Sequence, residues 1–377
     1  MNKRVSLYLD LLRFLSAIVV VLSHVAMERI TGGSWEWIRA LRIGSDTVIV
    51  FFVLSGYVIA YVADHNKERK CDYVINRLSR LYSVVIPALL LSVAVAVAVD
   101  GLGTTLVPDY YQSFWDSHRQ SSVLQSFLAP IFYVNQIWLV DIRPFTNGPF
   151  WSLSYEFWYY TLFFMIYYFH GAIRILLALL VITIMGPKIL LLAPVWWLGV
   201  WTYHKSKNIN HSSLVGWALF LGPILAYSMI KVSGVSDLLL DETRSILGPR
   251  TVFRWLRFSD EFVISYVYAI LVSMHFIGLV TVVKTHLAWL ERWQKQIRFW
   301  AGLTFSLYLF HYPLMHFFAA VLPGPVDAFS RHIAMVVGIM AVTLLLGPLA
   351  ESSKHSIRVL LRSIWEGLLR KPIKARA

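Results

Sequence analysis

Charge is what this chain has least of. Only 15% of its 377 residues are Asp, Glu, Lys or Arg, where a soluble globular domain carries about 25%. That deficit excludes an ordinary water-soluble domain. Cysteine is nearly absent as well: Cys71 stands alone, so no disulfide can close within the chain and no Cys-x-x-Cys pair exists. No Gly-rich phosphate loop, His-Glu-x-x-His or Gly-x-Ser-x-Gly stands out, which counts against an ATPase, a zinc protease and an α/β-hydrolase. The histidines are scattered rather than clustered, so no metal site is predicted. No internal repeat is evident, which lowers the expectation of a transporter built from repeated halves.

What is there is hydrocarbon. Apolar residues make up 58% of the chain, and the mean hydropathy is +0.61. They gather in runs near 20 residues, the length a helix needs to cross a bilayer. The runs are continuous rather than alternating, which excludes a β-barrel. The expected fold class is therefore an all-α polytopic membrane protein. About ten transmembrane helices are predicted, near 6–26, 44–63, 82–99, 150–169, 172–186, 189–204, 213–231, 262–283, 299–319 and 332–350. Gly186-Pro187 reads as a tight turn between the fifth and sixth.

The net charge of +13 does not point to nucleic acid, because the basic residues sit in short loops. Lys67, Arg69, Lys70, Arg77 and Arg80 crowd one loop, and Lys284, Arg292, Lys295 and Arg298 another. The opposite side is nearly balanced, with Asp100, Asp109, Asp116 and Asp141 against Arg119 and Arg143. The positive-inside rule then puts both termini in the cytoplasm. The start, Met1 to Arg4, reads as the flank of a retained span rather than a cleaved signal, because Asp10 and Arg13 interrupt the apolar run.

Residues 123–140 are apolar enough to enter the bilayer, but an eleventh span would send the basic tail outside. The segment is expected to be re-entrant or interfacial on the outer side, walling the entrance to an outward-facing site. The domain reading is a membrane domain over 1–350 and a basic amphipathic cytoplasmic tail over 351–377, resting on anionic lipid. No soluble domain is expected at either end.

Ionisable groups within a hydrocarbon-length helix are costly and need a partner or a function. The first span carries Arg13 and, eleven residues on, His24. At about 100° per residue these fall roughly 20° apart around the axis and about 16 Å apart along it. Asp10 lies about 40° from His24, so one polar stripe runs the length of the helix. Packing alone would explain it if Arg13 paired Asp10 and His24 bonded a neighbouring helix. Arg77-Leu78-Ser79-Arg80 closes the basic loop; two guanidinium groups there form a phosphate clamp if they serve more than topology. Trp151-Ser152-Leu153-Ser154-Tyr155-Glu156 places a carboxylate within an aromatic belt, where it needs a partner. Ser55-Gly56 within Phe51–Tyr57 reads as close helix packing. In Ser306–Pro313, Pro313 can free a carbonyl near His311, which is expected to act in support.

Taken together, these motifs resemble the acyltransferase-3 family of integral membrane O-acyltransferases. The match rests on Asp10-Leu11-Leu12-Arg13 with His24, Phe51–Gly56, Arg77-x-x-Arg80, Trp151–Glu156 and Ser306–Pro313, in order along nearly the whole chain. Two departures stand out: Phe157 replaces a second acidic residue, and Ser83 follows Tyr82 where Pro is common. The resemblance implies a bacterial cytoplasmic (inner) membrane protein that moves an acyl group, usually acetyl, from acyl-CoA to a surface or secreted glycan. It assigns the Arg13–His24 pair and Arg77-x-x-Arg80 to donor binding and catalysis. The mechanism expected from these residues has Arg13, Arg77 and Arg80 hold the acyl-CoA phosphates and His24 act as general base, with an acyl-histidine relay as the variant, while Glu156 orients the histidine or the sugar. Asp10, Ser55, Trp151, Ser154, Tyr155 and His311 are then supporting residues. Acyl-CoA is a co-substrate, with no permanently bound cofactor and no metal; the partners are the glycan or glycolipid acceptor and membrane lipid. The competing readings are a transporter or flippase using the same charges as a path, and a non-catalytic scaffold.

Overall fold

The computed structural model describes residues 1–106, 121–145, 147–207, 209 and 211–369. Asp109, Asp116 and Arg119 of the balanced loop, and Arg370, Lys371, Lys374 and Arg376 of the tail, lie outside the described residues. Among the described residues the chain is all-helical, with no strand. Ten long helices stand where the apolar runs predicted them. They are α1 (Lys3–Val25), α2 (Ile43–Asn66), α3 (Lys70–Leu106), α4 (Trp151–Tyr168) and α5 (Gly171–Met185). The second half adds α6 (Pro187–Ser206), α7 (Ser213–Val232), α8 (Phe262–Val282), α9 (Thr304–Val321) and α10 (Phe329–Leu369). Six segments are long and apolar enough to cross a membrane, those of α1, α2, α3, α7, α8 and α10. Helices of this length and composition suit an integral membrane protein.

Local sequence sets the joints. Asn2 caps α1 by accepting from the Arg4 N–H, which satisfies one orphan donor of the first turn. Gly186 at φ +76° turns the chain from α5 into α6, with Pro187 opening the new helix where a missing N–H costs nothing. Gly56 on α2 and Gly199 on α6 let these helices meet backbone to backbone: a Cβ at either would run into the carbonyl of Trp196 or of Val53. This is the close approach expected of Ser55-Gly56.

Three boundaries differ from expectation. The stretch 64–81 is not an open loop, because α3 begins at Lys70 and carries Arg77 and Arg80 on its first turns. Nothing after Lys70 breaks a helix, and the turn is confined to Lys67 at φ +45° and its neighbours. The span near 299–319 is two helices, Gln294–Gly302 and α9, joined at Leu303. α10 runs unbroken past 350, the expected end of the last span. No breaker follows Pro348, and Arg362 on the extension pairs with Asp72 of α3.

The 123–140 segment forms one short helix, Val123–Ile131, held by a capping box between Ser122 and Gln125. Nine residues rise only about 13 Å, too little to cross hydrocarbon. The irregular chain that follows is partly buried, with Tyr133, Asn135, Gln136 and Asn147 inside and Phe132, Trp138 and Leu139 exposed, and side chains satisfy part of its backbone. Trp158 Nε1 donates to the Tyr133 carbonyl at 2.9 Å, Asn135 Nδ2 to that of Ile142 at 3.2 Å, and Lys188 to that of Val140. Such backbone is tolerated at depth only when protein surrounds it.

Candidate active site

Two cavities flank α1. The first, of about 320 Å³, is lined by Arg13, Ser55, Arg80, Glu156, Glu351 and Lys354 among others. The second, of about 520 Å³, holds His24, Trp151 and Tyr312 together with four arginines. Val48 of α2 and Tyr308 of α9 line both, so they form the partition between them. The Tyr308 hydroxyl is fixed there, 2.7 Å from Ser152 Oγ and 3.3 Å from the Pro149 carbonyl.

The stripe on α1 thus serves two chambers. Arg13 opens on the first, and its Nη2 donates to Asp10 Oδ1 at 3.1 Å. Asp10 is also paired with Arg298, so it anchors Arg13 and does not reach toward His24. Arg13 joins Arg80 and Lys354 in that cavity, which gives three cations against Glu156 and Glu351.

His24 is held by His311. His24 Nδ1 lies 3.0 Å from His311 Nε2, and the two rings stack at 5.1 Å. His311 Nδ1 lies 3.1 Å from the Leu307 carbonyl. A carbonyl only accepts, so His311 carries its proton on Nδ1 and its Nε2 is a lone pair. His24 must then donate from Nδ1, which leaves its own Nε2 as a free lone pair. Tyr312 meets the His24 ring edge-on at 5.1 Å, and Arg29 Nη2 donates to the Tyr312 hydroxyl at 2.9 Å. His311 thus touches His24 directly.

Pro313 positions this part of α9. Its missing N–H leaves the Leu309 carbonyl without an intrahelical donor. Asn147 Nδ2 takes that place at 2.7 Å, tying the buried loop to the histidine helix.

The remaining expectations divide. Arg80 reaches the first cavity, but Arg77 does not: it is buried, 3.4 Å from Glu68 and 5.3 Å from the Tyr73 ring centroid. Three residues separate them on the helix, about 300° around the axis, so neighbouring packing decides which one faces the cavity. Glu156 does not approach His24. It accepts from Ser55 Oγ and Tyr160 Oη at 2.5 Å each, in the first cavity. Trp151 lies in the His24 cavity and stacks on Phe258 at 4.8 Å. Ser154 and Tyr155 face away: Ser154 Oγ donates to Asn135 Oδ1 at 2.5 Å, and the Tyr155 hydroxyl lies 3.1 Å from Ser259 Oγ. Both brace α4 rather than line a cavity.

Sequence reasoning missed several lining groups. Ser152 and Tyr308 sit inside the quoted motifs but carry no charge to draw notice. Glu351 and Lys354 fall beyond the expected end of the last span. Arg39 and Arg143 lie on a short helix and a loop, in no motif.

The profile of the acyltransferase-3 family, described as an acyltransferase domain, matches residues 6–349. The chain belongs to this family. The match covers most of the lining of both cavities, but Glu351 and Lys354 of the first lie beyond it. A curated relative, "Acyltransferase MdmB" of Streptomyces mycarofaciens, is 31% identical over 157 residues, 40% of this chain. That match spans 36% of the relative's own length. No solved structure matches the chain.

Proposed function

We propose that this acyltransferase moves an acyl group, in the simplest case acetyl, from cytoplasmic acyl-CoA to a hydroxyl of a surface or secreted glycan at the outer face of a bacterial inner membrane. The reading takes all ten long helices as spans, with both termini in the cytoplasm. One observation carries it: a cation-bearing cavity and a histidine cavity abut at Tyr308 and Val48.

In this reading Arg80 and Lys354 receive the phosphates of acyl-CoA, with Arg13 deeper in the same cavity. The thioester reaches the partition, and the acceptor hydroxyl enters the other cavity. His24 Nε2 takes the hydroxyl proton as the oxygen attacks the thioester carbonyl. The tetrahedral adduct collapses, the C–S bond breaks, and the departing CoA sulfur takes the proton back from His24. Throughout, His311 holds His24 through Nδ1 and keeps Nε2 toward the acceptor side. Glu156 serves the donor cavity, its charge set against Arg13 and Arg80, and the role of orienting His24 passes to His311.

Purified protein, radiolabelled acetyl-CoA and glycans extracted from the host test this. Acetyl transfer in the native protein and its loss in a folded His24→Ala variant are expected. Full transfer by that variant refutes the histidine mechanism. Glycan translocation with no acyl transfer identifies a flippase instead.

A further inference from the structure

The His24 cavity is unevenly charged. Arg39, Arg42, Arg143 and Arg257 line it, against only Asp260 and Glu261. Both carboxylates are already engaged. Glu261 pairs with Arg42, and Asp260 accepts from Arg244 Nη2 and Nε at 2.6 and 2.8 Å. Arg257 in turn faces Asp141 at 3.2 Å. Arg39 and Arg143 have no carboxylate partner among the described residues, and Arg39 makes only a long contact, 3.4 Å, to the Ser23 carbonyl. Arg13 and Arg77, by contrast, each face a carboxylate. Two guanidinium groups without a counter-charge at the mouth of one cavity raise the local concentration of anions. Their planar forks suit a carboxylate or a phosphate.

The donor does not account for them. Acyl-CoA phosphates have Arg13, Arg80 and Lys354 on the far side of Tyr308. Trp151 and Phe258, stacked within 4° of parallel, offer this cavity an apolar wall suited to one face of a sugar ring.

We infer that the His24 cavity takes an anionic acceptor: a hydroxylated molecule whose carboxylate or phosphate is held by Arg39 and Arg143 while a hydroxyl faces His24. The inference rests on the proposed reading of this cavity as the acceptor side. It narrows that acceptor to acidic sugars and sugar phosphates, and places neutral glycans among the poor ligands.

Ligand-observed saturation-transfer NMR on the full chain in phosphatidylcholine nanodiscs tests it. The probes are glucuronate, glucose 6-phosphate and glucose, at matched ionic strength. Both anionic sugars are expected to bind and glucose at least about tenfold more weakly, as loss of a charge-assisted contact implies. Arg39→Gln with Arg143→Gln removes the difference. The paired Arg→Lys variant keeps the charge, and so the fold, but loses bidentate geometry and binds with intermediate strength. CoA binding stays unchanged in both paired variants and falls in Arg80→Gln with Lys354→Gln.

Equal binding of glucose and glucuronate overturns the inference. So does anionic binding that survives the paired Gln variant. Displacement of glucuronate by CoA, lost in the Gln pair, assigns the arginines to the donor and also overturns it. Phosphatidylglycerol nanodiscs that abolish the sugar signal assign them to a lipid headgroup, with the same consequence. Failure of CoA to bind the native protein, with glucuronate binding intact, instead removes the acyl-CoA reading and leaves the anion site standing.

Discussion

A neutral imidazole keeps its proton on one nitrogen, and in this bundle the Leu307 carbonyl makes that choice for two histidines in series. It fixes the His311 tautomer, which fixes that of His24. A partner that orients a metal-bound histidine is worth about 10–100-fold, and the same orienting contact sets the scale for His311. His311→Ala is therefore expected to lower acyl transfer by about that factor with CoA binding unchanged. His311→Gln, whose amide oxygen can accept from His24 Nδ1, should restore most of the loss. Equal loss in both variants, read from initial transfer rates, would show that His311 acts only through packing. The same scale separates Arg80 from Arg77. Arg80→Gln should raise KM for acyl-CoA about tenfold with little change in thermal stability, the cost of one contact to a charged phosphate. Arg77→Gln should do the reverse: it leaves Glu68 with a weaker partner and lowers the melting temperature, while KM holds. Calorimetry beside donor-saturation kinetics distinguishes the two.

Helices in this chain are joined by what prolines and glycines leave open. Pro313 frees the Leu309 carbonyl for Asn147, and Pro87 frees that of Ser83, which Ser353 Oγ approaches at 3.4 Å while its proton goes mainly to the Ala350 carbonyl at 2.7 Å. Each contact ties a helix interior to a different element. Asn147→Ala leaves a buried carbonyl without a donor and should cost about 1–3 kcal/mol. Because Asn147 holds the helix of His311, transfer should also fall. Loss of stability with wild-type transfer would uncouple the loop from the site. Gly56→Val is the matching test on α2, where the added side chain must push α6 away from Trp196. Overpacking of this kind costs about 1–3 kcal/mol.

As a whole, the molecule is two chambers with one shared wall, and its orientation in the membrane can be read with its own lone thiol. Cys71 is half-buried at the start of α3, next to Asp72 and two residues after Arg69. With both termini in the cytoplasm, a membrane-impermeant maleimide should label Cys71 in inverted vesicles and leave it untouched in right-side-out ones. The opposite pattern inverts the topology and, with it, the donor side. The wall itself predicts coupling. Tyr308→Ala removes the side chain that separates the cavities, so water reaches the thioester from the acceptor side. CoA release without acceptor should rise while transfer falls. Unchanged release would mean that Val48 and the backbone suffice as the partition.

The sequence by itself determined the membrane class, the approximate places of the ten long helices and the family, because runs of apolar residues and short polar motifs are local properties. It also placed Arg13, His24, Arg80 and His311 as the residues to watch, since ionisable groups in hydrocarbon stand out without any contact map. Only the tertiary structure decided how they group. Asp10 turned toward Arg298, Arg77 toward Glu68 and Glu156 toward Ser55, while His311 came to His24 from 287 residues away in the chain. Such pairings depend on the rotation of one helix against another, which residue spacing within a single helix cannot fix. The same holds for Arg39 and Arg143, ordinary loop cations in sequence, which share one cavity once the bundle has closed.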